Sequence, residues 1–140
     1  MNGESLAGIK VQVETPEYET GNLLSIISEI QYALQQLLEH KKVHSIDLRA
    51  MPWSSGEEQK LASYLGKGEV FIELNTLGKS TFIETQFSGV WLVNHYNQED
   101  EQIAKLIEIT YLPEIVFSQK EDIKNSLERL QTALSDDKQP

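Results

Sequence analysis

The chain has 140 residues and a formal net charge of −10, with 12 basic side chains, 22 acidic ones, 3 histidines and no cysteine. The basic residues are scattered, with only Lys41 and Lys42 adjacent, so the concentrated positive surface that neutralises phosphates is missing and no nucleic-acid partner is expected. Without cysteine there are no disulfides, no thiolate catalysis and none of the usual ligands for Fe–S clusters or structural zinc.

A single domain of this size can bury about two-thirds of its unfolded surface, and an apolar fraction of 39% supplies a core. No apolar run approaches the roughly 20 residues needed to cross a bilayer. The first residues carry neither the basic start nor the apolar stretch of a secretory signal, so a soluble cytoplasmic protein with no membrane partner is expected.

Residues 1–19 are polar apart from the alternating Ile9, Val11 and Val13, which Pro16 ends; this arm is expected to be an edge strand or flexible. From Asn22 to Lys41, apolar residues at Leu23, Ile27, Ile30, Leu34, Leu37 and Leu38, widened by Ile26 and Ala33, predict an amphipathic helix of about five turns. Val43–Leu48 alternates as a short strand. Ser55 and Glu58 have capping-box spacing ahead of a short helix holding Leu61, Ala62 and Leu65, which Gly66 ends.

Four β-rich runs follow, at Val70–Asn75, Thr81–Phe87, Val90–Tyr96 and Ile103–Tyr111. Short turn-forming connections make them an antiparallel meander. Pro113 ends the last strand. Ser118 and Glu121 suggest a second capping box, before a helix striped with Ile123, Leu127, Leu130 and Leu134. The tail 136–140 is polar and expected to be loose.

This order predicts an α+β fold over residues 20–135: an antiparallel sheet of four to five strands with the helices packed on one face in two layers. The other face would then meet solvent or a partner.

The hairpin Ile83–Asn97 carries Glu84, Gln86, Asn94 and His95 among apolar and aromatic residues, more polarity than a plain core hairpin needs. Glu84, His95 and Glu108 could form an acid–base or metal site if one sheet face gathered them, which is the alternative, enzymatic reading. The bland account is that they line the solvated side of a sheet buried on one face. The pair His40 and His44 has helical i,i+4 spacing but straddles the expected helix end, so no metal is assigned. Ser88 with His95 lacks the nucleophile elbow, and Gly66-Lys67-Gly68 sits between helix and strand, the wrong order for a phosphate loop. No catalytic residue and no cofactor are therefore expected.

Trp53, Phe87, Trp91 and Tyr96 are candidate interface anchors beside Glu84, His95 and Glu108, with Trp91 more simply explained as core. Tyr111 belongs to the same group of aromatics at strand ends. Asp47 and Arg49 are expected to form an ion pair near the Met51-Pro52 loop.

Four blocks carry a family resemblance: Ile46–Pro52, Leu65–Val70, Ile83–Asn97 and Leu106–Ile115. Together they resemble the conserved region of the HupH/HyaF family of nickel–iron hydrogenase expression and formation proteins, over about residues 43–130. Trp91-Leu92 stands where the family usually has a Trp-Trp pair. The resemblance implies a non-enzymatic accessory protein, a chaperone or scaffold in hydrogenase maturation. Its partners would be the precursor of the Fe–S small subunit and other accessory proteins. Longer members contain more chain than this one, which leaves open a homodimer. The family supplies no catalytic residues to carry over.

Overall fold

A computed structural model describes residues 21–136, so the predicted arm at 1–19 and most of the predicted tail lie outside the described residues. In chain order the elements are α1 (Asn22–His40), β1 (His44–Asp47), α2 (Glu57–Leu65), β2 (Phe71–Asn75), β3 (Lys79–Glu84), β4 (Val90–Tyr96), β5 (Gln102–Ile109) and α3 (Lys120–Ser135). Single 3-10 turns follow β1 at Leu48–Ala50 and precede α3 at Glu114–Val116. The strands form one antiparallel sheet in the order β1-β5-β4-β3-β2: the predicted meander, with the first strand added beside the last. The fold is α+β.

Register divides the strand residues between two faces. Ile46, Ile107, Leu92 and Ile83 stand in one row on the first face, and Val90 pairs with Ile109 in the next. Onto this end pack α1, through Leu23, Ile26, Ile27, Ile30, Ala33 and Leu37, and α2, through Leu61 and Leu65. This burial is the main driving force of the fold, at roughly 1.5–3 kcal/mol per large side chain.

The second face carries a smaller core. Phe82, Trp91 and Val93 are buried, with Ile72, Leu74 and Leu106 packed beside them, and the segment after β5 turns back so that Leu112 and Val116 join them.

Three expectations are corrected. Leu38 is not part of the buried stripe of α1 but is 75% exposed. α2 does not begin with the Ser55–Glu58 box. Ser54 and Glu57 form the reciprocal pair: the Ser54 amide donates to Glu57 Oε1 and the Glu57 amide to the Ser54 carbonyl, both at 3.1 Å. The sequence Ser54-Ser55-Gly56-Glu57-Glu58 holds both frames. Glu58 instead meets Lys105, 2.6 Å away, and the N-cap position of α2 is Gly56, with no side-chain bond.

The third correction is the largest. α3 does not cover the sheet: none of its residues is buried, and it joins neither core cluster. Its first turn also shows no side-chain cap at Gln119. The helical layer over the sheet is therefore α1 and α2.

Candidate functional site

The second sheet face gathers the chemistry-bearing residues. Glu84, Trp91, Glu108 and Ser45 form one row across β3, β4, β5 and β1. His95 lies on the same face two rows along, between Ser80 and Ala104. The predicted juxtaposition of two carboxylates and an imidazole on one face is thus present at the level of strand register.

Their side chains are occupied differently. Glu84 Oε1 accepts from the amides of Glu69 (3.0 Å) and Val70 (3.2 Å), while its backbone carbonyl accepts from the Gly68 amide at 2.6 Å. A Cβ on Gly68 would stand 2.5 Å from the Thr85 carbonyl oxygen and 2.8 Å from Glu84 Oε1, so glycine is what allows this approach. Glu84 therefore ties the connection after α2 to the sheet. Its backbone stands two strands, roughly 10 Å, from Glu108, with Trp91 between them. That geometry does not make an acid–base pair.

Trp91 is 3% exposed and its indole N–H donates to the Thr110 carbonyl at 3.1 Å. It is core, and so drops out as an interface anchor. His95 Nδ1 lies 2.7 Å from Ser80 Oγ, and its ring meets Phe82 edge-on with centroids 6.1 Å apart.

The other polar residues of the hairpin also have internal partners. Gln86 Nε2 donates to the Tyr64 carbonyl at 2.6 Å, and Asn94 Oδ1 accepts from Gln102 Nε2 at 3.0 Å. Much of the hairpin's excess polarity thus fastens it to α2 and β5.

Tyr96 and Phe87 are directed to the helix-bearing side. Tyr96 pairs with Gln102 past a bulge, with Lys79 Nζ 5.6 Å from its ring centroid. Phe87 stacks at a tilt on Tyr64, centroids 5.4 Å apart, against the main core. Trp53 is half-buried on that same core and donates its indole N–H to the Leu48 carbonyl at 2.7 Å. The predicted Asp47–Arg49 ion pair is replaced by two backbone bonds. Asp47 Oδ1 accepts from the Arg49 amide, and Arg49 Nη1 donates to the Gln102 carbonyl. His44 meets Glu29 at 2.6 Å, away from His40, which lies beside Glu39. Among the described residues no three His, Asp or Glu side chains converge as a metal site would require.

At the β1 side of the second face lies a concave site of about 300 Å³, lined by Val43, Ser45, His95, Glu108, Thr110, Glu114 and Ile115. Burial pushes the Glu108 carboxyl above the ordinary glutamate range, and the nearby charge of His95 pulls partly the other way. Two of its lining residues are exposed apolar side chains, Val43 (57%) and Ile115 (55%), and Tyr111 (62%) and Phe117 (54%) are exposed on the segment after β5 that carries Ile115. Glu108 and His95 are among the residues the sequence singles out, while Val43 and Ile115 are not: Val43 reads only as the start of a short strand and Ile115 as an isolated apolar residue after Pro113.

Glu57, which the sequence did not single out, is structural. It is 1% exposed, accepting from Ser54 on one oxygen and from the Leu23 amide on the other, 3.3 Å away, so it joins the starts of α1 and α2. It serves the fold.

Among the described residues, no helix is long and apolar enough to cross a membrane.

Comparison with known proteins identifies the region. The sequence profile of the HupH hydrogenase expression protein, C-terminal conserved region, matches residues 21–136. The chain is 33% identical over 113 residues to the hydrogenase expression/formation protein HoxQ of Cupriavidus necator, covering 81% of this chain and 40% of that protein. It is 32% identical over 107 residues to HupQ of Azotobacter chroococcum, covering 75% and 38%. The chain thus spans about two-fifths of the length of the curated relatives it matches.

A solved structure, the hydrogenase expression protein HupH from Thiobacillus denitrificans, superposes with a TM-score of 0.79 at 36% identity, covering 84% of this chain and 98% of that one. The chain belongs to the HupH hydrogenase expression protein family and consists largely of that family's C-terminal conserved region.

Proposed function

We propose that this protein is a non-enzymatic accessory factor of hydrogenase maturation that holds a precursor of the Fe–S small subunit, acting in the cytoplasm. The names of its relatives, hydrogenase expression/formation proteins, support the process. One observation supports binding over catalysis. The concave site on the second sheet face is lined by the exposed Val43 and Ile115, with Tyr111 and Phe117 exposed on the same segment as Ile115, while Glu84, one of the three candidate catalytic groups, is committed to backbone amides. Aromatic and aliphatic side chains around a partly desolvated polar centre are the usual make-up of a protein-contact patch. An immature subunit exposes apolar segments that such a patch can cover.

The test is capture of the tagged chain from cells producing the hydrogenase, scored for the small-subunit precursor by name. The precursor is expected with the wild-type chain and lost with Ile115→Asp/Phe117→Asp. Absence of the precursor from the wild-type complex overturns the reading. Equal recovery with the double variant overturns the assigned surface.

A further inference from the structure

α3 carries an apolar stripe that no other described element covers. Ile123, Leu127, Leu130 and Leu134 are 57%, 55%, 64% and 62% exposed, and no other large apolar side chain lies on the helix. Their spacing is four, three, four, the strict two-in-seven pattern of a helix–helix seam. A helix that lies on a sheet carries a wider stripe, as α1 does with Leu23, Ile26, Ile27, Ile30, Ala33 and Leu37. The narrow stripe therefore selects another helix as its occupant.

Charge indicates which helix. The chain carries −10 overall, so most of its surfaces repel a second copy. α3 is the exception. Lys120, Lys124 and Arg129 balance Glu121, Asp122 and Glu128. The positions flanking the seam are Gln119, Lys124, Ser126, Gln131 and Ala133, with one charge among them. Two copies of this helix can meet without opposing like charges across the seam.

From these observations we infer that α3 pairs antiparallel with α3 of a second copy, making the chain a homodimer through this helix. The stripe is symmetric about its midpoint, so antiparallel pairing matches Ile123 with Leu134 and Leu127 with Leu130 in successive layers. Lys124 then faces Gln131 and Ser126 faces Ala133. The same arrangement sends the two acidic bodies to opposite ends of a helix pair about 24 Å long, which keeps their repulsion low. A seam of four layers buries on the order of 1,000 Å² in total, at the weak end of specific interfaces, so the dimer dissociates on dilution. The inference is independent of the partner proposed above, because α3 contributes no residue to the concave site.

Sedimentation equilibrium of the intact chain tests it over about 1 to 200 µM, the range in which weak dimers dissociate. The weight-average mass is expected to rise from 15.9 kDa toward twice that value with concentration. Leu127→Glu/Leu130→Glu is expected to stay at the monomer mass throughout, with unchanged circular dichroism and thermal midpoint at low concentration. A wild-type chain that stays monomeric, or a double variant that dimerises equally, overturns the proposal. Orientation is read by mixing Leu127→Cys and Leu130→Cys chains under oxidation, which is clean because the chain has no other cysteine. A mixed disulfide supports antiparallel pairing, and a Leu127→Cys self-disulfide in its place overturns it.

Discussion

Two buried or half-buried carboxylates have opposite standing in this molecule. Glu57 is completely enclosed and accepts from the Ser54 hydroxyl and amide and from the Leu23 amide, so its charge is solvated by the protein. Glu57→Ala leaves those donors without their acceptor and is expected to cost about 2–3 kcal/mol. The thermal midpoint should fall by roughly 4–12 °C for a domain of this size. A change of less than about 1 °C would mean the carboxylate is dispensable to the joint between α1 and α2.

Glu108 lacks such a cradle, and burial raises its pKa. A raised carboxyl pKa means the folded state holds the proton more tightly than the unfolded chain does. The stabilisation is present at low pH and is lost as pH rises through the folded value. Glu108→Gln is therefore expected to melt above the wild type at pH 7, with the gap closing as pH falls through the raised folded value toward the ordinary glutamate value of about 4.3. Thermal melts at several pH values check the sign, and a variant that melts below the wild type at pH 7 contradicts it.

The elements differ in how far their sequences declare them. The core strands of the meander were visible as period-2 runs, and their pairing follows from the short connections. The face of each residue was not visible. The Ser88-Gly89 break ends with Gly89 at φ 91°, and its geometry sets Glu84 opposite Trp91. A one-residue slip there would put the Glu84 and Glu108 carboxylates on opposite faces, and no local residue preference specifies the register.

The helices give the sharper lesson. α1 and α3 have comparable amphipathic spacing, and both were expected to cover the sheet, yet only α1 does. The difference lies in stripe width, since α1 adds Ile26 and Ala33 to its row and α3 adds nothing. Ile30→Ala in α1 is thus expected to cost about 2–5 kcal/mol through the cavity it leaves. Leu130→Ala in α3 should change the stability of the dilute chain by less than about 0.5 kcal/mol. Denaturant titrations of the two variants check this, and similar losses in both would mean α3 packs on the domain.

At the scale of the whole molecule, the sheet separates two tasks. One face is occupied by α1 and α2 and holds most of the core. The other has a small core of its own around Phe82, Trp91 and Val93 and, beside it, the concave site with its apolar rim. The polar residues of the β3–β4 hairpin first drew attention as a contact surface. In the folded chain Glu84, Gln86 and Asn94 fasten that hairpin, and the exposed apolar groups near the site come from before β1 and after β5. Sequence patterning could locate the sheet that carries the site but not its rim, because Val43 and Ile115 come together only through the β1–β5 pairing.

Binding of the purified hydrogenase small-subunit precursor to this chain, followed by calorimetric titration, tests the central claim most directly. The account predicts saturable binding by the wild type and by Leu127→Glu/Leu130→Glu, and at least tenfold weaker binding by Ile115→Asp/Phe117→Asp, a loss of about 1.4 kcal/mol or more. No binding by the wild-type chain, or equal binding by all three, would contradict it.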